Sequence, residues 1–371
     1  MVLVTWRTQR HKKSWYELQS SISPCYAQAN GYRQITGGAG FVGSQLAHHL
    51  HEQGHPVILL DSMTFGHLDN LIISGHTFGR LVVEDIRTPL AKISALMEDV
   101  HTVFHFAAVA ALPTCQSNPS LAYDVNVSGT ANILEAARRA KVKRIIFAST
   151  SAIYEATVMD PSRDAFREDD PVAPNLIYSM TKDAAEKVCQ AYSTNYGMDI
   201  IIVRFFNIYG PHQDFKRLSP PFTSYLATEL AHNRTPTLFN SSTTALRDYV
   251  YSADLISLLT AMLQKTGKKY DAEVFNACSG EGHSAPKIFE IMNEHTGKVI
   301  EPRYGEPEKF WSQYPELVQE PYPLNPRRIA KEVYKMSLGD PLKTQREFGW
   351  RAKTGMREGL GEVWKYTLEN I

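Results

Sequence analysis

Cysteine is scarce in this sequence. Its 371 residues hold four, Cys25, Cys115, Cys189 and Cys278, far apart and with no CxxC pair. That spacing argues against a disulfide framework or a zinc site and favours a reducing compartment. A surplus of charge is missing too: 39 basic and 39 acidic side chains leave a formal net charge of +0. The chain therefore has no electrostatic footprint for nucleic acid or a membrane surface as its main partner. No apolar run reaches the ~18 residues that span a bilayer, and no internal repeat or low-complexity tract is visible. At 43% hydrophobic and 21% charged residues, the composition is that of an ordinary soluble globular protein, expected in the cytoplasm.

Residues 1–30 lack hydrophobic periodicity. Arg7, Arg10, Lys12 and Lys13 face a single acid, Glu17, and no apolar stretch follows to make a secretory signal. An organelle transit peptide has little support. The segment is read as an N-terminal extension or insertion. Met1-Val2-Leu3-Val4-Thr5 has the pattern of a first strand, which would make about residues 6–36 an insertion between that strand and a glycine loop. The competing first strand, Tyr32-Arg33-Gln34-Ile35, is short and polar.

From residue 31 short apolar runs alternate with helical stretches. Val57–Leu60, Leu81–Val83, Val103–Phe106, Arg144–Phe147, Ile200–Phe205 and Val274–Ala277 are expected strands, apolar enough to be covered on both faces. Gly43–Gln53, Ser120–Arg139 and Ser179–Tyr196 are expected helices. The alternation predicts an α/β fold with a doubly wound parallel sheet. After about residue 206 prolines punctuate the chain, and residues 302–326 add Tyr304, Phe310, Trp311, Tyr314 and Tyr322. The expected organisation is a nucleotide-binding domain over 31–206, with a segment returning at about 240–280. A smaller, discontinuous mixed α/β lobe over 207–371 faces the carboxyl edge of the sheet, where open α/β folds bind ligands.

Thr36-Gly37-Gly38-Ala39-Gly40-Phe41-Val42-Gly43 sets glycines at GxxGxxG spacing before a helix. Gly37 suits a tight turn, Gly40 a close approach to pyrophosphate, and Gly43 close packing of helix on strand. The helix N-terminus offers its N–H groups to the anion. Asp61 ends the next strand, 18 residues after Gly43. An acid there accepts from the adenosine ribose and repels a 2′-phosphate, favouring NAD over NADP. Asp85-Ile86, at the end of the following strand, is placed to flank the adenine.

Further motifs follow in one order: His105-Phe106-Ala107-Ala108, Asn126, Ser149-Thr150-Ser151, Tyr178-Ser179-Met180-Thr181-Lys182 and Arg247-Asp248-Tyr249. With the glycine loop they resemble the extended short-chain dehydrogenase/reductase family, in particular nucleotide-sugar epimerases of the UDP-glucose 4-epimerase type. The resemblance runs from about residue 31 to the C-terminus. It implies a Rossmann-type sheet and NAD held by Gly37, Gly40, Phe41, Val42, Gly43, Asp61, Asp85, Ile86, Ala107, Ala108, Asn126, Tyr178 and Lys182. The chemistry fits these residue types. Taking a hydride from a sugar carbinol requires taking its hydroxyl proton, and a phenol of pKa about 10 is a poor base near neutrality. A lysine four residues on shares its helical face, and its ammonium, with the nicotinamide, favours the phenolate. Tyr178 is then the general base, Lys182 its electrostatic partner, and Thr150 the group that orients the hydroxyl.

Related chemistries differ just after Thr150. The family's 4,6-dehydratases carry an Asp-Glu pair there, its decarboxylases a Glu at the second position, and its 3,5-epimerases a Cys. Ser151 and Ala152 stand here, which leaves hydride chemistry at one carbinol and favours 4-epimerisation: removal of the C4 hydride, rotation of the keto-sugar, and return. A 4-ketoreductase or dehydrogenase with the same three residues is the alternative, distinguished by releasing its cofactor. A non-catalytic NAD sensor is another, though such proteins typically lose the Tyr or Lys. By resemblance Asn207 and Arg247 hold the substrate diphosphate, joined by Arg328, with Arg327 the alternative. Ser337 occupies a position where a bulky side chain excludes N-acetylated sugars. One departure is Glu155, which replaces the family's usual Gly after Tyr154 and bears on loop shape and sugar preference. The substrate class is a nucleotide sugar, and a homodimer through residues 120–139 and 179–196 is expected.

No metal is expected. His48, His49, His51 and His55 cluster on the helix after the glycine loop with no acid or cysteine at ligand spacing. Cys115 reads as packing rather than nucleophile, because no His pairs with it in sequence.

Overall fold

The computed structural model describes residues 31–371 except 74, 160–161, 241–244, 307–310, 312, 320 and 322. Met1–Thr5, Cys25, Phe310 and Tyr322 lie outside the described residues. Each apolar run expected as a strand forms one. They are β2 (Val57–Asp61), β3 (Arg80–Val83), β4 (Val100–His105), β5 (Arg144–Thr150) and β6 (Ile200–Phe205), with Asp271–Ala277 as the last. β1 is Tyr32–Thr36. Its Arg33–Thr36 run parallel to Val57–Leu60 on one side and Thr102–His105 on the other. The expectation that residues up to 36 form an insertion is therefore corrected, since 32–36 belong to the sheet. The polar strand is tolerated because its two long polar side chains each place a donor on a backbone carbonyl. Gln34 Nε2 donates to Leu96 O at 3.1 Å and Arg33 Nη1 to Gly31 O at 2.9 Å, which offsets the roughly 1–3 kcal/mol that an unpaired buried amide costs.

Between β6 and the last strand of the main sheet the chain adds β7 (Asn207–Tyr209) and β8 (Arg247–Tyr251), so Asp271–Ala277 is β9. The main sheet is parallel throughout, in the order β9-β6-β5-β4-β1-β2-β3. The direction of winding reverses between β1 and β4, the place where such sheets bind dinucleotides. Both faces are covered, which explains the continuous apolar strands. On one side Leu46 and Leu50 of α1 (Phe41–Glu52) pack with Leu255 and Leu259 of the helix Ser252–Gln264. On the other, Ile133 and Leu134 of α2 (Thr130–Arg139) meet Ala185 and Cys189 of α3 (Ile177–Tyr196).

The single helix expected over Ser120–Arg139 is broken. A short helix, Pro119–Tyr123, leads into a π-turn over Asp124–Gly129 before α2 starts. A side chain at Gly129 would meet Ile86 Cδ1 at 2.5 Å, and the wider turn brings Asn126 inward. Such turns concentrate at functional sites.

Beyond β6 a second core forms from Tyr209, Leu226, Leu230, Ile288, Met292, Leu360 and Val363. β7 and β8 pair in parallel in their own small sheet. Asp248 of β8, fully buried, binds this lobe together by accepting from Ser279 N, Ser279 Oγ, Gly280 N and Gly339 N. Burial pushes that carboxyl up to about 6, and the same bonds oppose the rise. Among the described residues no helix is long and apolar enough to cross a membrane.

Candidate active site

At the end of β1 the chain turns through Gly37, whose φ is +71° and whose added Cβ would lie 2.9 Å from Ala107 N. Gly37 is thus required twice, by conformation and by the approach of the Ala107-Ala108 segment. A Cβ at Gly43 would come 2.2 Å from Gly37 O, so Gly43 packs α1 on the loop itself. Packing against strand β2 falls instead to Gly38, not singled out from sequence, whose Cβ would meet Leu59 Cβ at 2.7 Å. α1 begins at Gly40 without a side-chain cap and without an acid in its first turn, so the N–H donors around Phe41 and Val42 suit an anion.

Asp61 ends β2 almost buried. Its Oδ2 accepts from Ala39 N at 2.9 Å and its Oδ1 from Met63 N at 2.8 Å. Burial raises its carboxyl, and those two N–H groups oppose the rise. Each oxygen keeps a lone pair for a ribose hydroxyl. These residues fit a dinucleotide. Asp85 and Ile86 part company: Asp85 forms a two-pronged pair with Arg87 at 3.0 and 2.7 Å, which holds its carboxyl low, while Ile86 is buried under Gly129. Asn126 is a positioning residue. Its Oδ1 accepts from Val109 N at 2.8 Å, and its Nδ2 donates to Val109 O and Thr181 Oγ1 at 3.0 and 2.9 Å. Both amide hydrogens are spent on the protein, clamping the loop after Ala108 to the turn of α3 that carries Tyr178. His105, buried between Thr36 Oγ1 (2.6 Å) and Thr130 Oγ1 (2.9 Å), ties β1, β4 and α2 together. Burial drives its pKa down to about 3, so it is neutral.

The catalytic set assembles at the carboxyl end of β5. Thr150 Oγ1 accepts from Ala152 N at 3.1 Å. Tyr178 packs against Val109, Cys115 and Ala122. Burial pushes its phenol above the ordinary value. The neighbouring Thr150 hydroxyl and the Arg217 charge pull it back, while Cys115 and Glu155 add to the rise. Lys182, one helical turn on and buried, sets its ammonium 4.4 Å from the Phe147 ring centroid, and burial brings it down to about 8. Among the described residues Arg217, which the sequence reading missed, is a cation that acts on the phenol. Its Nε donates to Ser219 O at 2.7 Å, and Ser219 Oγ bonds the Tyr314 hydroxyl at 2.8 Å. No motif flags it, because it sits in an irregular loop after Pro211. Cys115 is packing, as expected: its Sγ donates to Val109 O, and burial lifts the thiol to about 12.

Below the catalytic turn Arg204, at the end of β6, clasps Glu186 of α3 with Nε and Nη2 at 3.0 and 2.8 Å, both side chains buried. The same guanidinium reaches the Tyr154 hydroxyl and Glu168 O. Replacing Arg204 by Met strands a buried carboxylate. Stability should fall by about 3–5 kcal/mol, read as a lower urea midpoint, and adding Glu186→Gln should restore part of the loss. Unchanged midpoints would remove the pair's structural role.

On the lobe side Asn207 Nδ2 donates to Asp248 O at 2.7 Å. Ser337, buried, bridges β8 beside Arg247, and its hydroxyl lies 3.4 Å from Ser151 Oγ. The two arginines expected on phosphate are engaged by the protein. Arg247 Nη2 donates to Glu332 O and Val333 O at 2.6 and 3.2 Å, the last carbonyls of the helix Pro326–Tyr334. The exposed Arg328, in that helix's first turn, donates through Nη1 to Asn175 Oδ1 at 2.9 Å. Arg247 thus ties the end of this helix to β8, and Arg328 ties its start to Asn175 just before α3, each through one nitrogen of its guanidinium.

A curated relative, a putative UDP-glucose 4-epimerase of Methanocaldococcus jannaschii, is 28% identical over 337 residues, covering 91% of this chain and 98% of its own. The UDP-glucose 4-epimerase of Thermotoga maritima, solved with UDP-glucose, superposes with a TM-score of 0.77 at 25% identity, over 90% of this chain and 98% of that one. That of Thermus thermophilus, solved with NAD, gives 0.74 at 26% identity, over 92% and 100%. Residues 34–278, more than half of the chain, match the model of one family. On that match, and with the glycine loop, Asp61 and the Thr150–Tyr178–Lys182 set in place, the chain belongs to the NAD dependent epimerase/dehydratase family.

Proposed function

We propose that the protein is a nucleotide-sugar 4-epimerase acting on a UDP-hexose or a UDP-uronic acid. The observation that carries this reading is the Tyr178 phenol held against Thr150 with only Ser151 and Ala152 following. No acid or thiol at those two positions serves carbon deprotonation or elimination. Glu155, slightly farther on, is locked into the start of α3 by Ser179 and two N–H groups. NAD, which Gly37, Gly40, Gly43 and Asp61 would hold, would supply a reversible hydride acceptor for C4. Tyr178 takes the hydroxyl proton and returns it, Thr150 orients that hydroxyl, and Lys182, protonated through most of the neutral range, supplies positive charge one helical turn along. Between the two steps the keto-sugar turns about its diphosphate. A cytoplasmic homodimer through residues 120–139 and 179–196 belongs to the same reading, with Tyr123 and Tyr196 exposed in those segments; a monomer in sedimentation equilibrium removes that part.

Incubation with a panel of UDP-hexoses and UDP-uronic acids should convert one of them to its C4 epimer, followed by NMR, without net NADH. Accumulating NADH assigns a dehydrogenase instead, and inertness of the whole panel removes the reading. Within it, the small Ser337 leaves room for an N-acetyl group. Ser337→Tyr should cut kcat/KM for an N-acetylated sugar by about tenfold or more while sparing the plain hexose. Equal losses on both would show that position 337 does not discriminate.

A further inference from the structure

Glu155 stands where the resemblance leads one to expect glycine, and its side chain is wholly removed from solvent. Oε2 gathers Ser179 Oγ at 2.6 Å, Asn175 N at 3.0 Å and Leu176 N at 3.1 Å. These groups begin α3, so one carboxyl caps the helix bearing Tyr178 and Lys182 and ties it to the turn that follows Thr150. Oε1 is different: among the described residues it has no hydrogen-bond donor. Lys335 Nζ forms an ion pair with it at 3.5 Å and hydrogen-bonds Glu332. That one ammonium sets the Glu332 carboxyl beside Oε1. Two ionised carboxylates face to face would repel each other and leave a buried lone pair unmatched, whereas one proton between them supplies the missing donor.

We propose that Glu155 and Glu332 hold a single proton between them, and that this pair positions the catalytic helix and sets the charge beside the Tyr178 phenol. The titratable and charged groups facing it are Tyr178 on α3, Lys335 after the helix Pro326–Tyr334, and Arg247 behind Glu332. Burial raises Glu155 above the ordinary carboxylate range. Burial acts on Glu332 too, but Lys335 and Arg247 outweigh it and hold that carboxyl low, so the proton rests on Glu155. An ionised Glu155 raises the phenol's pKa; a protonated one does not. Glu155 is a positioning residue, and its effect on rate rests on Tyr178 being the base.

Two variants separate charge from packing. Glu155→Gln keeps an acceptor for Ser179 and the helix N–H groups but cannot ionise. Glu332→Gln places a permanent donor against Oε1 and leaves Glu155 ionised. On NAD-loaded protein, the tyrosinate absorbance lost in Tyr178→Phe should titrate at the parental pH in Glu155→Gln and about half to one pH unit higher in Glu332→Gln. That pair of results supports the shared proton; a downward displacement in Glu155→Gln, or none in Glu332→Gln, overturns it. If a variant fails to fold, infrared spectroscopy of the unaltered protein decides: a protonated-carboxyl stretch at neutral pH supports the pair and its absence overturns it. Neither readout needs a sugar, so inertness toward every nucleotide sugar would sink the epimerase reading alone.

Discussion

Tyr178→Phe should lower kcat by about a thousandfold while leaving NAD affinity within a few-fold. One oxygen is removed, and the ring keeps its packing against Val109, Cys115 and Ala122, so fold and cofactor cleft survive. The lost atom is the only one in the set that can take the substrate's proton from beside Thr150. Positioned proton transfer contributes on the order of 10²–10⁴ in rate, which sets the expected size. Steady-state kinetics on the reactive nucleotide sugar, with NAD content measured on the same preparation, checks it. A rate within tenfold of the parent would remove Tyr178 from the chemistry and pass the role to another base, such as a bound water.

Gly43→Ala should abolish detectable NAD binding, by at least about a hundredfold in affinity. The new Cβ would sit 2.2 Å from Gly37 O. That neighbour is backbone, so no rotamer relieves the clash, and either α1 or the glycine turn must move. Overpacking of this kind costs about 1–3 kcal/mol, and the displaced turn is the one that presents N–H groups to the pyrophosphate. Gly355→Ala is the matched control, because nothing lies within 4 Å of its Cβ. Calorimetric titration with NAD and thermal melting of both variants give the comparison. Parental affinity in Gly43→Ala would show that the loop adapts.

Much of the architecture is legible in the sequence because apolar runs record burial on both faces of a parallel sheet. Val57–Leu60 and Ile200–Phe205 needed nothing else. The glycine loop, Asp61 and the Thr150–Tyr178–Lys182 spacing are legible because each follows from local backbone geometry or helical phase. What escaped depends on partners far along the chain. Arg33 and Gln34 look wrong for a central strand until Gly31 O and Leu96 O accept from them. Asn126 reads as a cofactor ligand, and nothing local shows that its amide also joins Val109 to Thr181. Arg247 and Arg328 read as phosphate ligands, and nothing in the sequence signals that the carbonyls at one end of a helix and Asn175 at the other each take one of their nitrogens. A residue's type names the bonds it can make, and only the tertiary fold decides who receives them.

The bare start of α1 has a thermodynamic corollary. A helix that opens at Gly40 without a cap or a first-turn acid gains its missing acceptors only with a bound anion, so the native state is coupled by mass action to the dinucleotide pool. Saturation at a hundred times Kd adds about 2.7 kcal/mol to unfolding. The lifetime of this protein in a cell should therefore rise and fall with the concentration of free NAD.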